Sequence, residues 1–207
     1  MTRIKLCGLS RPEDILAANA LRPEYVGFVF AQKSRRRVAL EQARALRASL
    51  RGDILAVGVF VREDVREVAA LINGGIIDLA QLHGGEDFDY VRRLRTLTAG
   101  KLIQAFRVSG PADLRRAAQS PADYILLDNG AGGTGEAFDW SLLKGFKRPY
   151  FLAGGLDPGN AEAAVAALRP FAVDVSSGIE TAGVKDRNKM KQFVEAVRAA
   201  SGKENGR

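Results

Sequence analysis

Residues 4–15, Ile-Lys-Leu-Cys-Gly-Leu-Ser-Arg-Pro-Glu-Asp-Ile, followed at Tyr25 to Phe30 by Tyr-Val-Gly-Phe-Val-Phe, spell one strand–helix–strand unit. Ile4 to Cys7 and Tyr25 to Phe30 are short and mostly apolar, the composition of strands buried on both faces. Between them Ser10 stands as a helix N-cap, with Pro12 in the first turn and Glu13 completing a capping box. An extended run, a capped helix and a second extended run predict two parallel strands joined by a crossover helix.

The same grammar continues along the chain. Further apolar runs at Leu55 to Phe60, Asp78 to His83, Lys101 to Phe106, Tyr124 to Asp128, Tyr150 to Ala153 and Ala172 to Val175 bring the predicted strands to eight. Their starts lie about 20–30 residues apart, the length of one strand–helix unit with short loops. Helix openings recur at Gly110-Pro111-Ala112-Asp113 and Asp157-Pro158. The last helix, about Asp186 to Ala200, gathers Met190, Phe193, Val194 and Val197 on one face.

Eight such units close as a (β/α)8 TIM barrel or lie open as a doubly wound sheet. The expected architecture is the α/β barrel, one domain over 1–200 with a polar tail over 201–207. In either arrangement, function sits where strands end and the following loops begin.

Composition narrows the function classes. With 46% hydrophobic and 27% charged residues among 207, the chain has an ordinary globular balance rather than a disordered or fibrous one. No apolar run approaches the roughly 20 residues of a membrane helix. The opening MTRIKLCGLSRPEDI lacks the apolar core and cleavage site of a secretory signal. The single cysteine cannot form an internal disulfide, so a cytoplasmic location is expected. The net charge of +7 raises the possibility of nucleic-acid binding. The cations are spread at helical spacing, as in Arg44, Arg47 and Arg51, which favours solvated helix faces. Only Lys33-Ser34-Arg35-Arg36-Arg37 is a tight cluster. The expected partner is therefore a small anionic substrate, with no nucleic acid and no membrane.

Several strand ends carry chemistry. Cys7 ends the first strand, where its thiol is either a small buried hydrophobe or a proton acceptor at a barrel mouth. Asp128 ends the sixth after four largely apolar residues, as a turn former or as a carboxyl group facing that same mouth. Arg36, after the second strand, is either part of a solvated loop or a fork for a carboxylate. Gly154-Gly155 and Ser176-Ser177-Gly178 follow strands seven and eight, where barrels often cradle phosphate with backbone N–H groups; tight turns are the alternative. His83 ends the fourth strand and lacks partners at metal-ligand spacing, so it either orients a loop or the substrate or is a satisfied structural histidine. Gly130-Ala131-Gly132-Gly133-Thr134-Gly135 matches a dinucleotide fingerprint in form, but it opens no long helix and comes too late in the chain.

Taken together, Ile4-Lys5-Leu6-Cys7-Gly8, Val26-Gly27-Phe28-Val29-Phe30, Lys33-Ser34-Arg35-Arg36, Gln81-Leu82-His83-Gly84, Leu126-Leu127-Asp128, Gly132-Gly133-Thr134-Gly135, Phe138-Asp139-Trp140, Gly154-Gly155-Leu156 and Val173-Asp174-Val175-Ser176-Ser177-Gly178 give the chain a resemblance to the phosphoribosylanthranilate isomerases of tryptophan biosynthesis. The resemblance spans nearly the whole chain. It implies an Amadori rearrangement of N-(5′-phosphoribosyl)anthranilate, with Asp128 as general acid, Cys7 as general base, Arg36 on the anthranilate carboxylate and the last two loops on the phosphate. Two proton transfers need no metal and no redox cofactor. A monomer or homodimer is expected.

Ala31-Gln32 stand where the family commonly has an aromatic and a proline, and Glu136-Ala137 replace a frequent Lys-Thr. The nearest alternative is the sugar isomerase of histidine biosynthesis, which performs the same rearrangement on another amine. It resembles this chain less, because it uses an aspartate in the place of Cys7.

Overall fold

The computed structural model describes residues 1–128, 140–143 and 145–202. Eight parallel strands close into a barrel in chain order: β1 (Arg3–Cys7), β2 (Tyr25–Val29), β3 (Leu55–Phe60), β4 (Leu79–Leu82), β5 (Lys101–Arg107), β6 (Tyr124–Asp128), β7 (Tyr150–Ala153) and β8 (Ala172–Val175). Closure is made by β1 pairing with β8, Lys5 opposite Asp174. All eight strands lie where the apolar runs predict them, and the closed barrel excludes the open sheet. The helices are α1 (Pro12–Leu21), α2 (Leu40–Ser49), α3 (Val65–Asn73), α4 (Phe88–Leu97), α5 (Pro111–Ala118), α6 (Ala161–Leu168) and α7 (Arg187–Gly202). Among the described residues, the connection from β6 to β7 holds a 3-10 turn, Trp140–Leu143, in place of an α-helix.

The strands are apolar on both faces because each face has a core. Outside the barrel, alternate residues such as Ile4, Leu6, Val26 and Phe28 pack against the helices in one continuous cluster. Inside, Tyr25, Val57, Leu79, Ile103, Leu126 and Phe151 fill the lower barrel. Phe151, fully buried, meets the rings of Tyr25, Tyr124 and Phe171 at 5.3, 5.8 and 5.6 Å. Arg3 lies over Phe171, 4.3 Å from the ring centroid, at the foot of the closing seam. With the lower barrel packed, open space lined by polar inward residues lies at the upper end.

Helix starts follow the sequence with corrections. Ser10 and Glu13 do not form the cap of α1. Arg11 takes the N-cap position, and the buried Asp14 reaches back to accept the N–H groups of Ser10 and Arg11. The burial of Asp14 decides between neighbouring carboxylates, because Glu13 points to solvent. At α5 the predicted opening holds, with Asp113 accepting from Ser109 and Gly110. Asp157 caps a turn rather than a helix: it accepts from Gly159 and Asn160, and α6 begins only at Ala161. Met190, Phe193, Val194 and Val197 of α7 are all buried. Ser201 and Gly202, assigned to the tail, continue α7, where the Ser201 hydroxyl accepts from the Thr2 N–H at 3.2 Å. The rest of the expected tail and residues 130–135 lie outside the described residues.

Replacing Phe151 by Ala should lower stability by about 3–5 kcal/mol, the cost of emptying a large buried site that neighbouring rings cannot fill. Urea unfolding checks this, with a lower midpoint and an unchanged slope as the expected result.

Candidate active site

At the C-terminal ends of the strands lies a cavity of about 320 Å³, and its walls include Cys7, Arg36, His83, Asp128, Gly154, Gly155, Ser176 and Ser177. These are all but one of the residues selected from the sequence. Gly178 is the exception. It sits in a 3-10 turn, Ser177–Ile179, behind the cavity, where an added Cβ would fall 2.0 Å from the Leu156 carbonyl oxygen. Its role is the close approach of two loops.

Cys7 is buried at the top of β1 and stands opposite Gly27 of β2. A Cβ at Gly27 would lie 2.7 Å from the Cys7 sulfur, so glycine there makes room for the thiol. Val29, Val59 and Ala31 pack beside it. Burial pushes the thiol pKa up, opposed by the charges of Lys5 and Lys185 and by a hydrogen bond from Lys5. Lys5, two residues earlier on the same strand face, is fully buried and donates to Asp174 Oδ1 at 2.9 Å. Burial alone would lower the Lys5 pKa, but Asp174 and Cys7 raise it above the ordinary lysine value.

Across the cavity, His83 Nε2 lies 3.3 Å from Asp128 Oδ2. On its other side, His83 Nδ1 is 2.9 Å from the amide nitrogen of Gln81. His83 therefore orients a neighbour and is held in turn. The carboxyl group of Asp128 is part of the cavity wall.

Arg36 is not a free solvated side chain. Its Nε and Nη2 donate to the two carboxylate oxygens of Glu180 at 2.5 and 2.8 Å. Glu180 belongs to a small antiparallel pair, β9 (Glu180–Thr181) and β10 (Val184–Lys185), which also brings Lys185 Nζ to Glu180 at 2.7 Å and to the Ser176 carbonyl at 2.9 Å. Arg35 Nη2 adds a third cation at 2.9 Å. Gly8, with φ of +78°, lets this cluster approach the barrel, since a Cβ there would lie 2.5 Å from Arg36 Cδ.

Gly154 and Gly155 turn the chain after β7 with φ of +89° and +68°. The loops after β7 and β8 bring the backbone of Gly154, Gly155, Ser176 and Ser177 to one wall of the cavity, and backbone N–H groups gathered at such loop ends suit an oxyanion.

Sequence reasoning left Asp174, Glu180 and Lys185 unassigned. Asp174 carried a signal, a lone carboxylate at an inward position in an apolar strand. Ala182-Gly183, with φ of +51° and +80°, is a two-residue hairpin turn that was legible as such. Nothing in the order of residues says that the hairpin reaches Arg36.

Burial acts to raise the Glu180 pKa, but Arg36 and Lys185 outweigh it and hold the group at about 2, against an ordinary 4.5. A carboxyl depressed in the folded state contributes stability that is complete above its unfolded pKa and is lost as pH falls through its folded one. Acid unfolding of Glu180→Gln should accordingly be shallower than that of the unsubstituted protein between pH 4.5 and about 2. Circular dichroism across that interval is the measurement, and equal slopes would remove Glu180 as the centre of the cluster.

Comparison with known proteins adds identity to this geometry. Residues 4–196 match the family described as N-(5'phosphoribosyl)anthranilate (PRA) isomerase. The chain is 45% identical over 204 residues to the N-(5'-phosphoribosyl)anthranilate isomerase of Caldanaerobacter subterraneus subsp. tengcongensis, covering 96% of this chain and 98% of the relative. Among solved structures, the phosphoribosyl anthranilate isomerase of Thermus thermophilus superposes with a TM-score of 0.85 at 39% identity, over 96% of this chain and 99% of that one. Another, solved with reduced 1-(o-carboxyphenylamino)-1-deoxyribulose 5-phosphate, superposes with a TM-score of 0.84 at 35% identity, over 96% and 100% of the two chains. With its barrel, its cavity residues and its sequence in agreement, the chain belongs to the phosphoribosylanthranilate isomerase family.

Proposed function

We propose that this protein converts N-(5′-phosphoribosyl)anthranilate to 1-(2-carboxyphenylamino)-1-deoxyribulose 5-phosphate, the aldose-to-ketose isomerisation of tryptophan biosynthesis, and does so in the cytoplasm. The observation that carries this reading is the enclosure of one thiol, Cys7, and one carboxyl group, Asp128, in the same cavity. The rearrangement needs one proton donor and one proton acceptor on a substrate held between them.

Asp128 gives a proton to the furanose ring oxygen, the bond from that oxygen to C1′ breaks, and an open-chain protonated Schiff base results. Cys7, as thiolate, removes the proton from C2′, and the electron pair moves to give an enolamine. Tautomerisation then yields the ketone. Because burial favours the neutral thiol, the thiolate depends on the nearby ammonium groups of Lys5 and Lys185.

The substrate carries an anion at each end. Phosphate binds the backbone N–H groups of the loops after β7 and β8, beside Gly154, Gly155, Ser176 and Ser177. Arg36 and its cationic neighbours face the anthranilate carboxylate, with Glu180 keeping the guanidinium in place. His83 holds Asp128.

Loss of substrate fluorescence on adding micromolar enzyme is the direct test, and no loss would refute the activity. Asp128→Asn should lower kcat by about 10²–10⁴, the usual range for one general acid. Cys7→Ser should lower kcat severely with KM changed by about twofold or less. Full turnover in either variant would reassign that role.

A further inference from the structure

Gln81 has the one buried side-chain polar atom without a hydrogen-bond partner among the described residues, its Oε1. The residue is 1% exposed and lies two positions before His83, so both side chains leave β4 on the same side and enter the barrel top. A buried acceptor left without a donor costs about 1–3 kcal/mol. The orientation of this amide therefore requires a cause.

An orientation that leaves Oε1 bare fits one proton state of His83. An imidazole nitrogen without a proton can only accept, so the amide must offer its NH₂ to Nδ1, as observed at 2.9 Å. The ring proton is then on Nε2, which donates it to Asp128 Oδ2 across 3.3 Å. If Nδ1 takes up a proton it becomes a donor. Rotation of the amide by half a turn would then place Oε1 on Nδ1 and give the orphaned oxygen its partner.

We propose that Gln81 is a positioning residue that sets whether His83 Nδ1 carries a proton, and that inversion of its amide prepares Asp128 to act as proton donor. The second half rests on the reading of Asp128 as the general acid. With Nδ1 bare, moving the Nε2 proton to Asp128 would leave an imidazolate anion, a species far too basic to form near neutral pH. With Nδ1–H held by Gln81 Oε1, the proton between Nε2 and Oδ2 can reside on Asp128 and leave a neutral imidazole. One proton enters from solvent on inversion and one is delivered to the furanose oxygen. Recharging the pair takes up another from solvent, balanced by the one that Cys7 removes from C2′ and releases.

Among the described residues, the charged groups near this line are Arg107, Glu86 and Arg62. Arg107 of β5 stands opposite Asp128 in register. Buried Glu86 accepts from the N–H groups of Gly84 and Arg62 at the base of the loop after β4, and Arg62 Nε donates to the Gly84 carbonyl. None of these makes a hydrogen bond to Nδ1 among the described residues; Gln81 does.

His83 is the only histidine in the chain, so protein labelled with ¹⁵N at histidine and carrying a histidine-free tag reports on this ring alone. At about pH 8, the free protein should show Nε2 protonated and Nδ1 bare. Gln81→Glu offers a carboxylate that only accepts. It should protonate Nδ1 and raise the pH of ring titration by about one unit or more, carrying the alkaline limb of the kcat profile upward with it. Gln81→Met keeps the volume without the amide. It should give a mixture of tautomers and lower kcat about tenfold, with KM within about twofold.

A free protein with Nδ1 protonated at about pH 8, an unchanged titration in Gln81→Glu, or an unchanged tautomer and kcat in Gln81→Met each overturns the proposal. Retained turnover in Asp128→Asn overturns instead the general-acid reading on which the second half rests. The nitrogen spectra then still decide whether Gln81 governs His83.

Discussion

The ion pair between Lys5 and Asp174 is the constraint on which the upper barrel depends. It spans the seam where the first strand meets the last, with the nitrogen fully buried and the carboxylate nearly so. Taking two such charges out of water costs several kcal/mol each, repaid only by close geometry and further hydrogen bonds. An aliphatic pair would close the seam as well. What hydrocarbon cannot supply is a fixed positive charge beneath the Cys7 sulfur, and the cost of burial is intelligible as the means of keeping it there. Breaking the pair on one side would strand a buried charge at the point where the barrel closes.

Around that pair the mouth divides into two electrostatic halves. On the side of β1, β8 and the hairpin, Lys185, Arg35 and Arg36 converge on a single carboxylate, Glu180. Three cations about one anion leave positive charge facing the cavity while each member stays partnered. On the side of β4 and β6, the groups form a line from amide to imidazole to carboxyl, Gln81 to His83 to Asp128. One half is fixed by strong charge pairing. The other is a chain of neutral and acidic groups joined by hydrogen bonds.

The barrel was legible because the strand pattern recurs eight times: a buried strand is a short apolar run, and most of the runs are separated by helix-length stretches. The site was legible where a reactive side chain interrupts an apolar run, as at Cys7, His83 and Asp128. It was not legible where function depends on what faces the interruption. Arg36 reads as part of a basic loop until Glu180, 144 positions away, is placed against it. Asp174 and Lys5 each read as an oddity within a strand, and only closure of β1 on β8 pairs them. The cap of α1 failed for a related reason. Ser10 and Glu13 fit the local pattern, but burial selected Asp14, and burial is a property of the whole fold.

The seam also has a consequence in time. Cys7 is made well before Ser176 and Lys185, which close over its backbone and its field. At a synthesis rate of about 5–20 residues per second, the thiol waits on the order of 10–30 s before β8 exists to shelter it. Contacts between such distant positions also form slowly during folding. Through that interval the Cys7 thiol lacks the shelter of β8 and is open to oxidation to sulfenic acid and beyond. The residue read as the base is thus the oldest part of the site in synthesis and the last to receive its surroundings.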